Sequence, residues 1–217
     1  DAALLSQAVD KPGRVQLSRK DEMAWENYGF AFVLDERAGL DAQGNITAWD
    51  HEAWSPVLGN RPGYNQPGNV ITGLLAGFEP QEFRPRSPAP EPTAYSNNGN
   101  SVASYMAGQV NGAAHGTGTI KSERSLIHNT KSYFFTGPLR SPQRLQNTFA
   151  HESFMDELAA KAQADPVAFR LRHLSDPRLI DVVKAAAKAA NWDARPSPSP
   201  RAKKTGVATG RGFSCVA

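Results

Sequence analysis

Aromatic and β-branched residues concentrate in two runs near the start of the chain, 28–35 and 46–54. The segment between them is rich in turn-forming residues, including Gly39, Gly44 and Asn45. Because such runs favour extended backbone and the turn residues permit a reversal, the pattern predicts an antiparallel hairpin. Before it, apolar residues at helical spacing predict a helix over 2–9, and polar–apolar alternation predicts a short strand over 14–18.

The C-terminal part of the chain predicts a strand over 126–135 followed by three closely spaced helices. The first helix begins near Gln143 or Asn147 and ends at Ala162, and the next two begin with Asp165-Pro166 and Asp176-Pro177. An aspartate before a proline in the first turn is a frequent helix start. Arg170 and Arg172 are expected to face solvent. The predicted core-facing side chains are those of Phe149, Met155, Leu158, Ala159, Ala162, Val167, Leu171, Leu174, Leu179, Ile180, Val183, Ala186, Ala187 and Ala190.

Proline and glycine dominate the middle of the chain, 59–125, and leave little periodic pattern. So long a loop inside a compact domain suggests that it covers another domain or subunit. We therefore predict an α+β fold, in which an antiparallel hairpin sheet with long Pro/Gly-rich loops precedes a C-terminal three-helix layer. The predicted division is one partial domain over 1–193, made of segments 1–58, 59–125 and 126–193. A proline-rich basic linker over 194–209 and the start of a strand at 210–217 follow.

Composition excludes several classes of protein. The chain has 217 residues, 40% of them hydrophobic, and a net charge of +3, which fits a globular protein without a broad basic stripe for nucleic acid. A run of apolar residues long enough to span a membrane is absent from the sequence. With Cys215 as its one cysteine, the chain can form no internal disulfide and cannot hold an iron–sulfur cluster by itself. Both ends have the character of cuts within a longer chain, and we expect a fragment.

Self-contained catalytic sets are not visible in the sequence. The five histidines show no metal-ligand spacing, and the sequence contains no Gly-x-Ser-x-Gly elbow. Asp156 and Glu157 are adjacent and point about 100° apart on a helix, so they do not form a catalytic carboxylate pair. Glu152, expected near a helix start, is interpreted as serving the helix dipole. We predict no catalytic residue and no metal ligand in this chain.

A proline-broken loop before the first C-terminal helix is the strongest candidate for a binding element. Pro138 and Pro142 restrict the backbone on either side of Arg140. A stiffened loop anchored by a helix presents one guanidinium in a fixed direction, which suits an anion or a planar polar cofactor. The alternatives are a surface turn with a solvated arginine, or an Arg140 that pairs with Glu152 or Asp156 and only orders the loop.

The order of short sequence segments around this loop resembles a known family. Leu139-Arg140-Ser141-Pro142-Gln143 is followed by segment 147–159, Asn-Thr-Phe-Ala-His-Glu-Ser-Phe-Met-Asp-Glu-Leu-Ala, and by segment 165–174, Asp-Pro-Val-Ala-Phe-Arg-Leu-Arg-His-Leu. This succession resembles the molybdopterin-binding large subunit of the xanthine dehydrogenase and aldehyde oxidase family, in its bacterial isoquinoline 1-oxidoreductase-like branch. The resemblance is dense over 136–192, visible again over 1–26, and weak over 59–127.

The resemblance implies a role for the loop. Arg140 matches the arginine and Gln143 the glutamine of the family's cofactor-facing loop, with Leu139 in place of a phenylalanine and Ser141-Pro142 in place of its glycines. It implies that Leu139, Arg140, Ser141 and Gln143 contact molybdopterin, for which the cytosine dinucleotide form is one candidate. Arg19 and Glu22 match a further family stretch and are expected to form a structural salt bridge.

The resemblance also implies an activity for the whole enzyme. It implies a molybdenum hydroxylase that oxidises an N-heterocycle or an aldehyde with water as oxygen source. Its catalytic glutamate lies outside this chain, and electrons leave through a partner small subunit with 2Fe-2S clusters to an external acceptor. The compartment stays open between bacterial cytoplasm and periplasm.

Two alternatives remain open. One is a catalytically silent scaffold or assembly fragment with no bound cofactor. The other is a hydrolase that uses a serine of segment 122–132 with His128 or His151.

Overall fold

A computed structural model describes residues 1–25, 28–29, 31–56, 66–82, 104–107, 109–110, 113–114, 117–131, 136–137, 144–199, 206–207 and 209–216. The chain forms two compact units. The first comprises Asp1–Ala31, Ser55–Pro90 and Asn129–Arg140, and the second comprises Phe32–Trp54, Glu91–His128 and Ser141–Ala217. The hairpin and the C-terminal helices share one core. The division into 1–193, 194–209 and 210–217 stays a prediction.

Short helices make up the described part of the first unit. Helices α1 (Ala2–Val9), α2 (Arg19–Trp25) and α3 (Ile71–Leu75) are accompanied by a 3-10 turn at Pro67–Asn69. The predicted N-terminal helix is confirmed, and it ends at Asp10 in the left-handed conformation. Helix α1 contains no buried residue.

The strand predicted over 14–18 is wrong. Residues 12–18 have no regular structure, and helix α2 follows them. The physical reason is a capping box. The Ser18 Oγ accepts from the Asp21 N–H at 3.2 Å, and an Asp21 carboxylate oxygen accepts from the Ser18 N–H at 3.2 Å. In the same helix Arg19 and Glu22 form the expected salt bridge, with their charged atoms 2.5 Å apart.

The second unit is built on the predicted hairpin. Strand β1 (Val33–Leu40) pairs antiparallel with β2 (Ile46–Pro56), so the prediction is confirmed, although β1 starts later than the aromatic run. The turn closes on Asp41, whose carboxylate accepts from the N–H groups of Gln43 and Asn45. Gly44 has φ +75°, and a Cβ there would lie 2.9 Å from the Ala162 Cβ, so the turn requires glycine on both counts.

A third strand extends the hairpin sheet. Strand β5 (Ser122–Thr130) follows the short pair β3 (Gln109–Val110) and β4 (Ala113–Ala114), and the larger sheet has the order β1-β2-β5. Strand β5 therefore begins four residues before the predicted start at 126, and residues 132–135 of the predicted strand lie outside the described part of the chain.

The three predicted C-terminal helices are present as α4 (Arg144–Lys161), α5 (Pro166–His173) and α6 (Pro177–Ala189). Asp165 and Asp176 act as N-caps, and each carboxylate accepts a backbone N–H at 2.8 Å, from Ala168 and Leu179 respectively. Helix α4 packs on β1 and on α5, and α5 packs on α6. The caps fix where the chain turns, so the helix starts agree with the sequence pattern.

The core of the second unit lies between the hairpin and these helices. Four predictions about its members are wrong. Phe149 is 75% exposed rather than buried, and Arg170 is fully buried rather than solvated. Ala186 and Ala190 are exposed rather than core-facing, because α6 buries the face that carries Leu179 and Val183. The buried apolar residues are Ile46, Trp49, Tyr105, Met106, Ile120, Met155, Leu158, Ala159, Val167, Phe169, Leu174, Leu179 and Val183.

The C-terminal residues do not begin a strand as predicted. Residues 209–216 have no regular structure; instead Phe213 and Cys215 pack against the core, and the Phe213 ring meets the Trp192 ring edge-on at 5.9 Å. Apolar contact with the helices has replaced strand pairing. Within the described residues, none of the helices has both the length and the apolar character that crossing a membrane demands.

Candidate functional site

The four residues predicted to approach a cofactor, Leu139, Arg140, Ser141 and Gln143, lie outside the described residues. Their contacts therefore stay a prediction. The chain immediately before them is held in the first unit, where the Gly137 N–H donates to the Tyr28 carbonyl at 3.1 Å and Thr136 forms a parallel bridge with Tyr28. Thr136 and Gly137 are both buried. The loop thus leaves from a fixed point of the backbone.

A buried arginine organises the interior of the second unit. Arg170 on α5 donates from Nε to a carboxylate oxygen of Glu152 at 2.9 Å and from a terminal nitrogen to Asp156 at 2.7 Å. The same guanidinium donates to the carbonyls of Pro166 and Glu152 at 3.1 and 2.9 Å. Burial alone would lower the pKa of Arg170, but the negative charges of Glu152 and other neighbours raise it overall. The pairing fixes α5 against α4.

Glu152 is fully occupied by this network. Its carboxylate also accepts from the Tyr105 hydroxyl at 2.7 Å and from the Cys215 N–H at 3.0 Å. Burial and the Glu152 charge raise the pKa of Cys215 to about 11, and the same two causes raise the pKa of Tyr105 well above its usual range. The interpretation of Glu152 as a helix-dipole residue is wrong, since α4 begins eight residues earlier at Arg144. Glu152 holds core elements together.

A second buried cluster joins the hairpin to α4. Glu36 on β1 lies directly opposite His51 on β2, and one turn of α4 brings His151 to the same point. A Glu36 carboxylate oxygen lies 2.7 Å from His51 Nδ1 and 3.4 Å from His151 Nε2. The two ring nitrogens are 3.4 Å apart. These three groups come from well-separated positions in the chain, and so their sequence spacing gave no sign of them.

The environment of this cluster is apolar and ordered. The Trp49 indole N–H donates to the second Glu36 oxygen at 2.8 Å, and the Trp49 ring packs edge-on against the rings of His151 and Phe154. Burial, together with the nearby His51, lowers the pKa of His151 well below its usual range. His151 is therefore neutral at physiological pH and has a lone pair on one ring nitrogen.

The other described histidines have structural partners. His173 Nε2 accepts from the Ile46 N–H at 2.9 Å, while its Nδ1 lies 2.8 Å from the Phe169 carbonyl, which fixes one tautomer. His128 lies 2.7 Å from a Glu52 carboxylate oxygen and stacks on Trp54. His128 and His151 each lie beside a glutamate, and the hydrolase alternative stays a hypothesis. His115 lies outside the described residues.

An open cleft of about 720 Å³ runs between β1 and α4. Its lining is mostly aromatic and aliphatic, and Glu36 is one of its polar lining residues. The described lining includes Phe32, Leu34, Leu145, Phe149 and Phe154. The exposed Phe149, which sequence reasoning assigned to the core, is part of this cleft.

Comparison with known proteins identifies the family. No protein-family model matches the chain. Over 214 residues, 99% of its length, the chain is 34% identical to a nicotinate dehydrogenase subunit from Pseudomonas putida. Over 64 residues, 29% of its length, it is 39% identical to the beta subunit of isoquinoline 1-oxidoreductase from Brevundimonas diminuta. The chain belongs to the molybdopterin-binding large-subunit family of the xanthine dehydrogenases.

The family resemblance drawn from the sequence is thereby confirmed. The chain spans 16% of the length of the nicotinate dehydrogenase relative, and its match to the isoquinoline 1-oxidoreductase relative spans 8% of that protein. For this large-subunit family the implied cofactor is molybdopterin.

Proposed function

We propose that this chain forms one wall of the molybdopterin site in the large subunit of a molybdenum hydroxylase. The observation that supports it most is the 34% identity to the nicotinate dehydrogenase relative over 99% of the chain. A match of that extent includes the arginine loop and both flanking regions. It favours a shared position in the folded subunit over a chance likeness of short motifs.

Arg140 is the residue with the clearest proposed role. When bound, the cofactor supplies hydroxylation chemistry with oxygen from water and accepts the electrons of the substrate. A fixed guanidinium beside its electron-rich oxygens and dithiolene stabilises the negative charge that accumulates on reduction. The buried backbone at Thr136 and Gly137 supports this role, because a loop fixed at its base positions a cation better than a free one.

The other loop residues have positioning roles in this proposal. The Gln143 amide donates a hydrogen bond to the pterin, and the Leu139 and Ser141 backbones line it. Electrons leave through a small subunit with 2Fe-2S clusters to an external acceptor.

An N-heterocycle is the proposed substrate class. Nicotinate and isoquinoline, which name the two relatives, are both aromatic rings that contain nitrogen. Such rings have electron-poor carbons beside the nitrogen, which is where a hydroxide nucleophile attacks. Aldehyde oxidation is the less favoured branch of the same proposal.

The test uses the intact enzyme with Arg140→Ala and Arg140→Lys in its large subunit. Arg178→Ala is the matched control, since Arg178 is an exposed arginine on α6. Molybdenum and pterin content, the Mo(V) electron paramagnetic resonance signal and oxidation of nicotinate, isoquinoline and an aromatic aldehyde are measured.

We expect Arg140→Ala to lower kcat by about 100-fold or to release the cofactor, and Arg178→Ala to leave all readouts unchanged. An Arg140→Ala enzyme with normal metal content, signal and kcat would remove Arg140 from the site. A wild-type enzyme that contains no molybdenum would favour the scaffold alternative.

A further inference from the structure

The Glu36, His51 and His151 cluster has the chemistry of a second metal centre. Two imidazole nitrogens and one carboxylate oxygen, each from a different element, converge within 4.8 Å. Borderline nitrogen donors with one oxygen suit Zn²⁺ and neighbouring divalent transition metals rather than Mg²⁺ or Ca²⁺, which take oxygen ligands. All three side chains are at most 7% exposed.

The distances between the three ligand atoms can be compared with those between the ligands of a bound zinc ion. Ligands about 2.0–2.1 Å from a tetrahedral zinc ion lie about 3.4 Å from one another. The His151 Nε2–His51 Nδ1 distance and the His151 Nε2–Glu36 distance are each 3.4 Å, so two edges of the triangle already match. Only the Glu36–His51 edge, at 2.7 Å, must widen, by about 0.7 Å.

Hydrogen bonds alone satisfy this cluster poorly. His51 Nδ1 faces both the Glu36 carboxylate and His151 Nε2, and a single ring nitrogen cannot donate to one and accept from the other at the same time. The opposite nitrogen, His51 Nε2, is buried and has no hydrogen-bond partner in the described part of the chain. Without a bound ion, the Nδ1 proton faces Glu36; a cation would take the place of that proton, and the ring proton would then lie on Nε2.

The surroundings resemble those of known metal ligands. A ligating carboxylate is usually oriented by a hydrogen bond to its other oxygen, and Trp49 supplies that bond to Glu36 at 2.8 Å. Glu36 borders the open cleft, so an ion can enter from solvent.

We propose that Glu36, His51 and His151 form a binding site for a divalent transition metal of the Zn²⁺ class, separate from molybdenum. Three protein ligands leave a fourth position for water or for a ligand in the cleft, as in zinc sites with an open coordination position. The proposal does not depend on the proposed function, because it concerns a different metal and residues outside the arginine loop.

The experiment measures Zn²⁺ binding to the intact protein that carries this chain. After treatment with a chelator, the protein is titrated with Zn²⁺ by calorimetry, and zinc and molybdenum are counted separately by mass spectrometry. Co²⁺ in place of Zn²⁺ reports the coordination geometry through its visible absorption. The variants are His51→Ala, His151→Ala, Glu36→Gln and Trp49→Phe.

His128→Ala is the matched control. His128 also lies 2.7 Å from a glutamate on a neighbouring strand, but it is not part of the three-group cluster. We expect one Zn²⁺ per chain in the wild type and in His128→Ala. The affinity falls at least 100-fold in His51→Ala and His151→Ala, and about tenfold in Trp49→Phe.

The wild-type titration and Glu36→Gln keep the test valid if a histidine variant fails to fold. Glutamine preserves the size of Glu36 and an acceptor for Trp49, so folding is retained while one charged ligand is lost. A wild type that binds less than about a tenth of an equivalent at 100 μM Zn²⁺ would overturn the proposal, since resident structural sites bind far more tightly. Unchanged affinity in the folded Glu36→Gln and His151→Ala variants would overturn it as well.

Discussion

In the second unit Phe169 is completely buried, whereas in the first unit Phe78 leaves 54% of its surface exposed. The same contrast separates the helices: Val183 on α6 is fully buried, while Leu5 on α1 is 54% exposed. Both units have amphipathic segments, so the pattern of apolar residues does not by itself say what covers them. Among the described residues, a sheet and three helices supply that cover in the second unit, whereas α1 in the first unit has no buried residue.

This difference bears on stability. Helices shorter than about 12 residues are marginal in water, and most of their stability comes from packing of an apolar face. Helix α1 has eight residues, none of them buried, whereas α4 has 18 residues and faces both β1 and α5. We therefore expect the free energy of unfolding to reside in the second unit.

Replacing an arginine in each unit gives the largest expected contrast. Arg170→Ala removes a buried cation and leaves the carboxylates of Glu152 and Asp156 without their partner. The free energy of unfolding should fall by about 4 to 5 kcal/mol. Arg19→Ala removes an 82% exposed partner of Glu22 and should change it by less than about 0.5 kcal/mol. Urea denaturation of the full chain measures both. Similar losses in the two variants would refute the assignment of stability to the second unit.

A pair of phenylalanines tests the same contrast without charge. Phe169→Ala leaves a cavity in the core and should cost about 3 to 4 kcal/mol. Phe78→Ala removes a ring that is mostly in solvent and should cost less than about 1 kcal/mol. The two variants are compared by thermal unfolding. A larger loss of stability for Phe78→Ala than for Phe169→Ala would contradict the assignment of stability to the second unit.

Much of this contrast could not be predicted from sequence. The Asp-Pro starts of α5 and α6 and the hairpin turn at Asp41 are local signals, and they gave correct element positions. Burial of Arg170 depends on two carboxylates supplied by α4, a tertiary contact that no local pattern contains. Phe149 fits the helical period but faces the open cleft, and the Ser18–Asp21 box overrode an alternation typical of a strand.

The candidate sites show the same limit. Arg140 could be singled out because prolines and a family resemblance mark it locally. The cluster of Glu36, His51 and His151 could not, because strand register and helix packing bring its members together. That Glu36 lies opposite His51 depends on the register of β1 against β2, which the sequence of the hairpin alone does not give.

Replacing the N-cap of α6 in the second unit should have a smaller effect on the free energy of unfolding. Asp176→Ala removes the side chain that accepts the Leu179 N–H at 2.8 Å, and it should cost about 1 kcal/mol. Asp176→Asn, which keeps an acceptor, should cost only a few tenths. If alanine and asparagine have equal effects in urea denaturation, the cap is not what starts α6.

Near neutral pH the smallest expected effect on stability is that of the Cys215 thiol, and it depends on pH. The folded pKa of about 11 exceeds the ordinary thiol pKa, so the stabilising contribution is full below that ordinary value and is lost as pH rises toward 11. At pH 8 the thiolate fraction is roughly 100-fold lower than in the unfolded chain, and alkylation by iodoacetamide should be slower by a similar factor. Equal rates in native and urea-unfolded protein would mean that the C-terminal segment does not pack on the core.

The most direct test of the proposed function is an experimental structure of the intact holoenzyme with its cofactor. We predict that the Arg140 guanidinium lies within hydrogen-bond distance, about 3 Å, of a pterin or metal-bound oxygen. An Arg140 side chain that points into solvent on the far side of the subunit would contradict the account.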